Sequence, residues 1–178
     1  MAKKVSKRLV IDACVAGAAG EKDAGTSKHC RDFLIAVLDN SHRVVMTPDI
    51  RKEWRKHQSN FSRKWYLNMQ RKNQLERISR IEINAQLWTG VEACTEFDNQ
   101  REEMVKDLRL IEAALVTDKI IVSLDKEVRK LFHQAAEQVE ELRKIVWVDP
   151  AKSEEQAISW LESGAAAEPE RMLGFYTK

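Results

Sequence analysis

The feature that most constrains this chain is a set of short apolar runs, rich in Val and Ile, separated by stretches with helical spacing. The runs are Leu9–Ile11, Val44–Met46, Ile120–Leu124 and Ile145–Val148. Each is too short for a buried helix, and β-branching favours strands. Between them, Thr26 or Ser27 is placed to cap a helix that runs to Asp39. Thr47-Pro48-Asp49 reads as a helix start, with Thr at the cap and Pro in the first turn. That helix carries Ile50, Glu53 and Trp54. Helical stretches are also expected over 61–83, 98–116, 127–143 and 151–162, whereas Ala13–Gly25 reads as a loop or a poorly formed first turn and Gln86–Gly90 as a break. Strands alternating with helices imply parallel pairing through helical crossovers. The expected class is α/β, three-layer α/β/α with a central parallel sheet. Residues 59–101 are too many for a simple crossover and are expected to form a helical insertion. Residues 1–150 then make the main domain, and 151–178 a solvated helix and acidic tail.

At 178 residues the chain suits one domain with a full core. Hydrophobic residues at 43% and charged residues at 33% fit a folded globular protein rather than a disordered one. Lys and Arg nearly balance Asp and Glu, leaving +2, which says little about partners. No apolar run approaches the roughly 20 residues that span a bilayer. Met1–Arg8 is basic and Leu9–Gly20 largely apolar, an imitation of a signal peptide, but Asp12 inside the apolar run opposes insertion. Cys14, Cys30 and Cys94 form no disulfide framework and no CxxC motif, which fits a reducing compartment. The expected location is the cytoplasm.

Two of the four runs are followed directly by an aspartate, Asp12 and Asp125. In a parallel sheet the C-terminal strand ends share one edge, where ligands bind at the point of reversed strand order. Glu53 lies near the start of the helix after the second strand, and Asp107 lies on the helix leading to the third. Singly, each has a plain structural explanation: Asp125 as a helix cap, Glu53 as a solvated helix residue. Jointly they are four carboxylates with a common place to meet. Clustered carboxylates repel one another unless protonated or joined by a cation, and their hard oxygens suit Mg²⁺ or Mn²⁺. Such ions activate water against a phosphodiester.

The segments RLVIDACVAG, VVMTPDIRKEW, VKDLRLIEAALVTDKIIVSLDKEVRKLF and IVWVDP, in that order, resemble the PIN domain. The resemblance spans Arg8 to about Pro150 and is tight in these four segments. It implies a metal-dependent ribonuclease, with many relatives acting as toxins of toxin–antitoxin pairs. It also implies catalytic and metal-binding roles for Asp12, Glu53, Asp107 and Asp125. Two residues after the first acid the family often has Ser, Thr or Asn. Here that position is Cys14, a weak hydrogen-bonding group. Asp118 precedes the third strand and is expected on the opposite edge.

Between Arg51 and Arg80 stand ten Lys and Arg against Glu53 and Glu76. Arg51, Lys52, Arg55, Lys56, Arg63 and Lys64 are the expected nucleic-acid contacts, since such a surface attracts phosphates. Trp54 and Trp65 within it read as core. The expected partner is RNA, with DNA equally compatible with phosphate contacts. An antitoxin or inhibitory protein, and a second copy in a homodimer, are further partner expectations. A PIN-like module that binds RNA or protein without cutting is the alternative. The stretch GEKDAGTS lacks the lysine of a phosphate loop, and the four histidines share no ligand spacing.

Overall fold

The computed structural model describes residues 5–175. The first four residues of the basic leader and the last three of the tail lie outside the described residues. Five strands form one sheet: β1 (Arg8–Ile11), β2 (Arg43–Met46), β3 (Leu75–Arg77), β4 (Ile120–Val122) and β5 (Val146–Val148). Their order is β3-β2-β1-β4-β5, and every pairing is parallel. The middle strands are buried throughout except at Arg8 and Arg43, as a sheet covered on both faces requires.

The helices are α1 (Ala13–Ala18), α2 (Gly25–Asp39), α3 (Pro48–His57), α4 (Asn60–Arg71), α5 (Ala85–Glu92), α6 (Asp98–Leu115), α7 (Lys126–Ala135) and α8 (Ala157–Glu162). They pack mainly in two groups, α1, α2, α3, α4 and α8 in one and α5, α6 and α7 in the other, with α3 and α6 meeting across the sheet edge. With right-handed crossovers this puts the groups on opposite faces of the sheet, consistent with a three-layer α/β/α arrangement. None of the described helices is long and apolar enough to cross a membrane.

The expected Thr47 cap is present: its hydroxyl accepts from Ile50 N at 3.2 Å, with Pro48 in the first turn. Trp54 and Trp65 are core residues, their rings stacked at 5.9 Å. Asp118 does sit at the far edge. It accepts from the Arg8 backbone N at 2.7 Å and from its guanidinium at 3.1 Å, pinning the start of β1. Asp118→Ala removes both contacts, and urea denaturation should show a loss of about 1 kcal/mol.

Several expectations are corrected. Helix does not run over 61–83: α4 stops at Arg71, and the chain returns as β3, a fifth strand, so the 59–101 segment is not purely helical. Of the two readings of Ala13–Gly25, the helical one is nearer: a six-residue helix, α1, begins directly after Asp12, and the loop is confined to the residues after it. Gln86–Gly90 is no break. It lies inside α5, where a Cβ on Gly90 would stand 3.2 Å from Val139 Cγ2, so glycine permits close packing. The 127–143 helix ends at Ala135, with a 3-10 turn at Glu140–Leu142. The C-terminal segment is not a solvated tail. Ala157, Trp160, Leu161, Ala165 and Leu173 are buried, α8 packs on α2, and Met172 bridges to Val146.

Candidate functional site

Strand order reverses between β1 and β4, the innermost pair reached from opposite directions. A crevice therefore opens beyond their C-terminal ends. There the structure has a cleft of about 740 Å³. Asp12, Cys14, Asp49, Lys52, Glu53, His57, Lys106, Arg109 and Asp125 supply its polar lining, with Trp54 and Leu110 among its apolar walls.

Asp12 follows β1 directly, and its backbone N donates to Val122 O at 2.9 Å, so β4 holds the residue in place. Its side chain does not cap α1. Instead Oδ2 accepts from Ser123 Oγ at 2.7 Å and from Cys14 Sγ at 3.2 Å. Ser123 is buried at the end of β4 and also accepts from Asp125 N at 3.1 Å, so one hydroxyl links the two strand-end acids. Sequence reasoning missed Ser123. Its signal was a lone hydroxyl inside the otherwise apolar run that ends at Asp125. Cys14 makes the weak contact expected of a thiol. Burial first, then the Asp12 carboxylate, pushes it up to about 12, so it is no nucleophile near neutral pH.

Asp125 is the cap of α7, its Oδ1 accepting from Val128 N at 2.9 Å. The plain structural role is thus real, and the second carboxylate oxygen remains beside the cleft. Asp107 projects from α6 and is half-buried, with no hydrogen bond or ion pair among the described residues. Burial, then the Asp12 and Asp125 charges, push its carboxyl up from 3.8 to about 7. Asp12, Asp107 and Asp125 are therefore electrostatic neighbours, although Asp107 is not among the residues that line the open cleft.

Glu53 lines the same cleft, but its carboxylate turns to its own helix. It accepts from Lys56 Nζ at 2.9 Å and lies 3.6 Å from His57 Nε2. The Lys56 hydrogen bond holds it below the usual carboxylate range. Asp12, Glu53 and Asp125 thus line one cleft, Glu53 while paired on its own helix, and Asp107 feels the charges of Asp12 and Asp125 from outside that lining. Among the described residues no three His, Cys, Asp or Glu side chains form a ready-made metal cage. The donor set nonetheless fits a hard divalent cation: the oxygens are carboxylate, and Asp107 is raised by like charges that such an ion would offset.

Of the expected nucleic-acid contacts, only Lys52 lines the cleft. Arg51 lies over the Tyr66 ring at 3.8 Å and donates to Gln58 at 3.2 Å. Lys56 is paired with Glu53, while Arg55, Arg63 and Lys64 are exposed outside the cleft lining. Tyr66, like the two tryptophans, is buried and offers no stacking face. The cleft cations that sequence reasoning passed over are Lys106 and Arg109, hidden as ordinary helix charges flanking Asp107.

No family model, curated protein or solved structure matches the chain.

Proposed function

We propose that this chain is a metal-dependent endoribonuclease with a PIN-like fold, hydrolysing RNA phosphodiester bonds in the cytoplasm. The observation that supports the reading is the placement of Asp12 and Asp125 on one cleft at the switch point of a parallel sheet, with the Asp107 carboxyl raised by burial and by their charges. Their hard oxygens suit Mg²⁺ or Mn²⁺. When bound, the ion supplies a nucleophilic water at neutral pH and stabilises the departing oxygen. The chain's own part is orientation. Ser123 and Cys14 aim Asp12, and the first turn of α7 fixes Asp125. Asp107 supplies a carboxylate that is ionised more readily once a cation is near. Glu53 would join the ion from α3 only on leaving Lys56, an exposed pair of small worth.

The test is cleavage of single-stranded RNA in Mn²⁺ by wild type and by Asp12→Asn. Loss of a ligand should lower the rate about a hundredfold or more, since even outer contacts to a metal ligand are worth 10–100-fold. Equal cleavage by both proteins overturns the reading. The pairing of Glu53 with Lys56 favours one alternative, a PIN-like module that binds RNA without cutting. That alternative requires RNA binding unchanged by Asp125→Asn and no Mn²⁺ binding in a calorimetric titration. A toxin role, with an antitoxin as partner, predicts a growth defect on expression that Asp12→Asn removes.

A further inference from the structure

Arg109 stands at a junction. It lines the main cleft, and it also lines a smaller cavity of about 160 Å³ beside it, together with Thr47, Asp49, Ser79, Arg80 and Glu112. The two cavities share Asp49 and Arg109, so this guanidinium borders both. The smaller one lies beyond the ends of β2 and β3, along the same edge of the sheet as the acids.

The side chain is held from three sides. Its Nε lies 3.5 Å from Asp49 Oδ2 on α3, and its Nη1 lies 3.5 Å from Glu112 Oε1 on α6. Its Cζ stands 5.5 Å from the Trp88 ring centroid on α5. Glu112 is itself fixed: it is only 3% exposed, and it accepts from Trp88 Nε1 at 3.1 Å and from Asn84 N at 3.3 Å. This is an unusual investment for an arginine at a cleft mouth. A buried carboxylate, an indole and a second carboxylate from three helices fix one guanidinium.

The contacts at 3.5 Å are longer than the 2.7–2.9 Å of a tight charge-assisted bond. They orient the fork without saturating it. Nη2 donates no hydrogen bond among the described residues. Arg80 adds a second exposed cation to the smaller cavity. Lys52 and Lys106, by contrast, are exposed stems with no ion pair among the described residues, able to attract a polyanion but not to orient one.

We infer that Arg109 anchors the phosphate next to the one being cut, leading the RNA strand from the acid cluster into the smaller cavity, with Glu112 and Trp88 as its positioning residues. This deepens the nuclease reading and rests on it for the identity of the strand. The chemistry follows from charge. The three acids repel an incoming phosphate wherever no cation covers them. A neighbouring phosphate therefore needs a fixed positive group displaced along the cleft, and a planar guanidinium meets two phosphate oxygens at once.

The test measures binding of a fluorescently labelled 12-nucleotide single-stranded RNA by anisotropy, in EDTA, over a KCl series. Arg109→Gln should raise Kd about tenfold and reduce the magnitude of the log Kd against log salt slope by about 0.7, the value for one lost phosphate contact on a single strand. Arg109→Lys keeps the charge, so it should keep the slope while binding less tightly. Lys119→Gln, at the opposite edge of the sheet, should match wild type. Melting curves of each variant check that the fold is retained. An Arg109→Gln protein with wild-type Kd and slope overturns the inference, as does an Arg109→Lys protein with the slope of the Gln variant. The two readings fail separately. Wild type that binds with this Arg109 dependence but never cleaves RNA sinks the nuclease and leaves the anchor. Cleavage that needs Asp12 yet ignores Arg109 sinks the anchor alone.

Discussion

Asp107→Asn should raise the melting temperature of the metal-free protein by about 5–10 °C at pH 8, by less than half of that at pH 5, and change it little below about pH 4. Burial, then the charges of Asp12 and Asp125, hold the native Asp107 carboxyl up at about 7, against 3.8 ordinarily. Between those values the native chain keeps a proton that the unfolded chain has released. The stability this group contributes is thus fully present below about pH 4 and is lost as the pH rises through about 7. Expressed in full at pH 8, a shift of this size is worth on the order of 2–4 kcal/mol. A chain of this length moves about 2–4 °C in melting temperature per kcal/mol. Asparagine carries no charge to bury or repel, so its melting profile should be flatter over this window. Adding Mn²⁺ should narrow the gap from the other side, because a cation relieves the ionised Asp107 and has less to relieve in the variant. The measurement is melting temperature against pH for both proteins, with and without Mn²⁺. Parallel profiles would mean that the three acids do not share a field. The same substitution should abolish RNA cleavage, so a gain in stability and a loss of activity come from one carboxylate.

What could be read in advance divides along physical lines. The four Val- and Ile-rich runs were legible because a buried parallel strand needs uninterrupted apolar character, and all four are strands. The strand-end acids were legible because parallel topology sends all C-terminal ends to one edge. β3 was not legible. Its sequence is Leu-Glu-Arg, and only Leu75 is buried, because an edge strand needs little apolar surface. Its register shows in contacts made far away in sequence: Glu76 beside Val45, and its carboxylate 3.0 Å from Arg43 Nε. The C-terminal segment misled for a similar reason. Its Glu residues face water while Trp160, Leu161 and Leu173 are buried, and composition alone averages the two. Glu155, read as part of an acidic tail, pairs with Arg129 and accepts from Asp149 N at 2.8 Å. In the site, positions along the chain indicated which acids could meet but not where their carboxylates turn. Whether Glu53 faces Asp12 or Lys56 is decided by rotamers on one helix, and i,i+3 spacing offers Lys56 as a local partner. Arg109 was invisible for the opposite reason, since two of its three contacts come from α3 and α5.

The same long-range logic makes Trp54 the residue where fold and site are most tightly joined. It is fully buried on α3, and its ring stacks on Trp65 and lies 6.4 Å from Tyr66. Its Nε1 donates at 2.8 Å to Ile11 O, the last carbonyl of β1 before Asp12. Trp54→Ala should cost about 3–5 kcal/mol in urea denaturation, the range for deleting a buried aromatic and leaving a cavity. Trp54→Phe separates the two roles. It keeps most of the packing but leaves the Ile11 carbonyl without its indole donor, which should cost about 1–3 kcal/mol. Because that carbonyl fixes the backbone entering Asp12, Trp54→Phe should also weaken Mn²⁺ binding, by a margin that a surface substitution of equal destabilisation does not reproduce. A Phe variant with wild-type metal affinity would show that Ser123 and Val122 hold Asp12 without help from α3. Weakened affinity in a protein that still melts cooperatively would show that the helix bearing Glu53 is fastened to the strand bearing Asp12 through this one hydrogen bond.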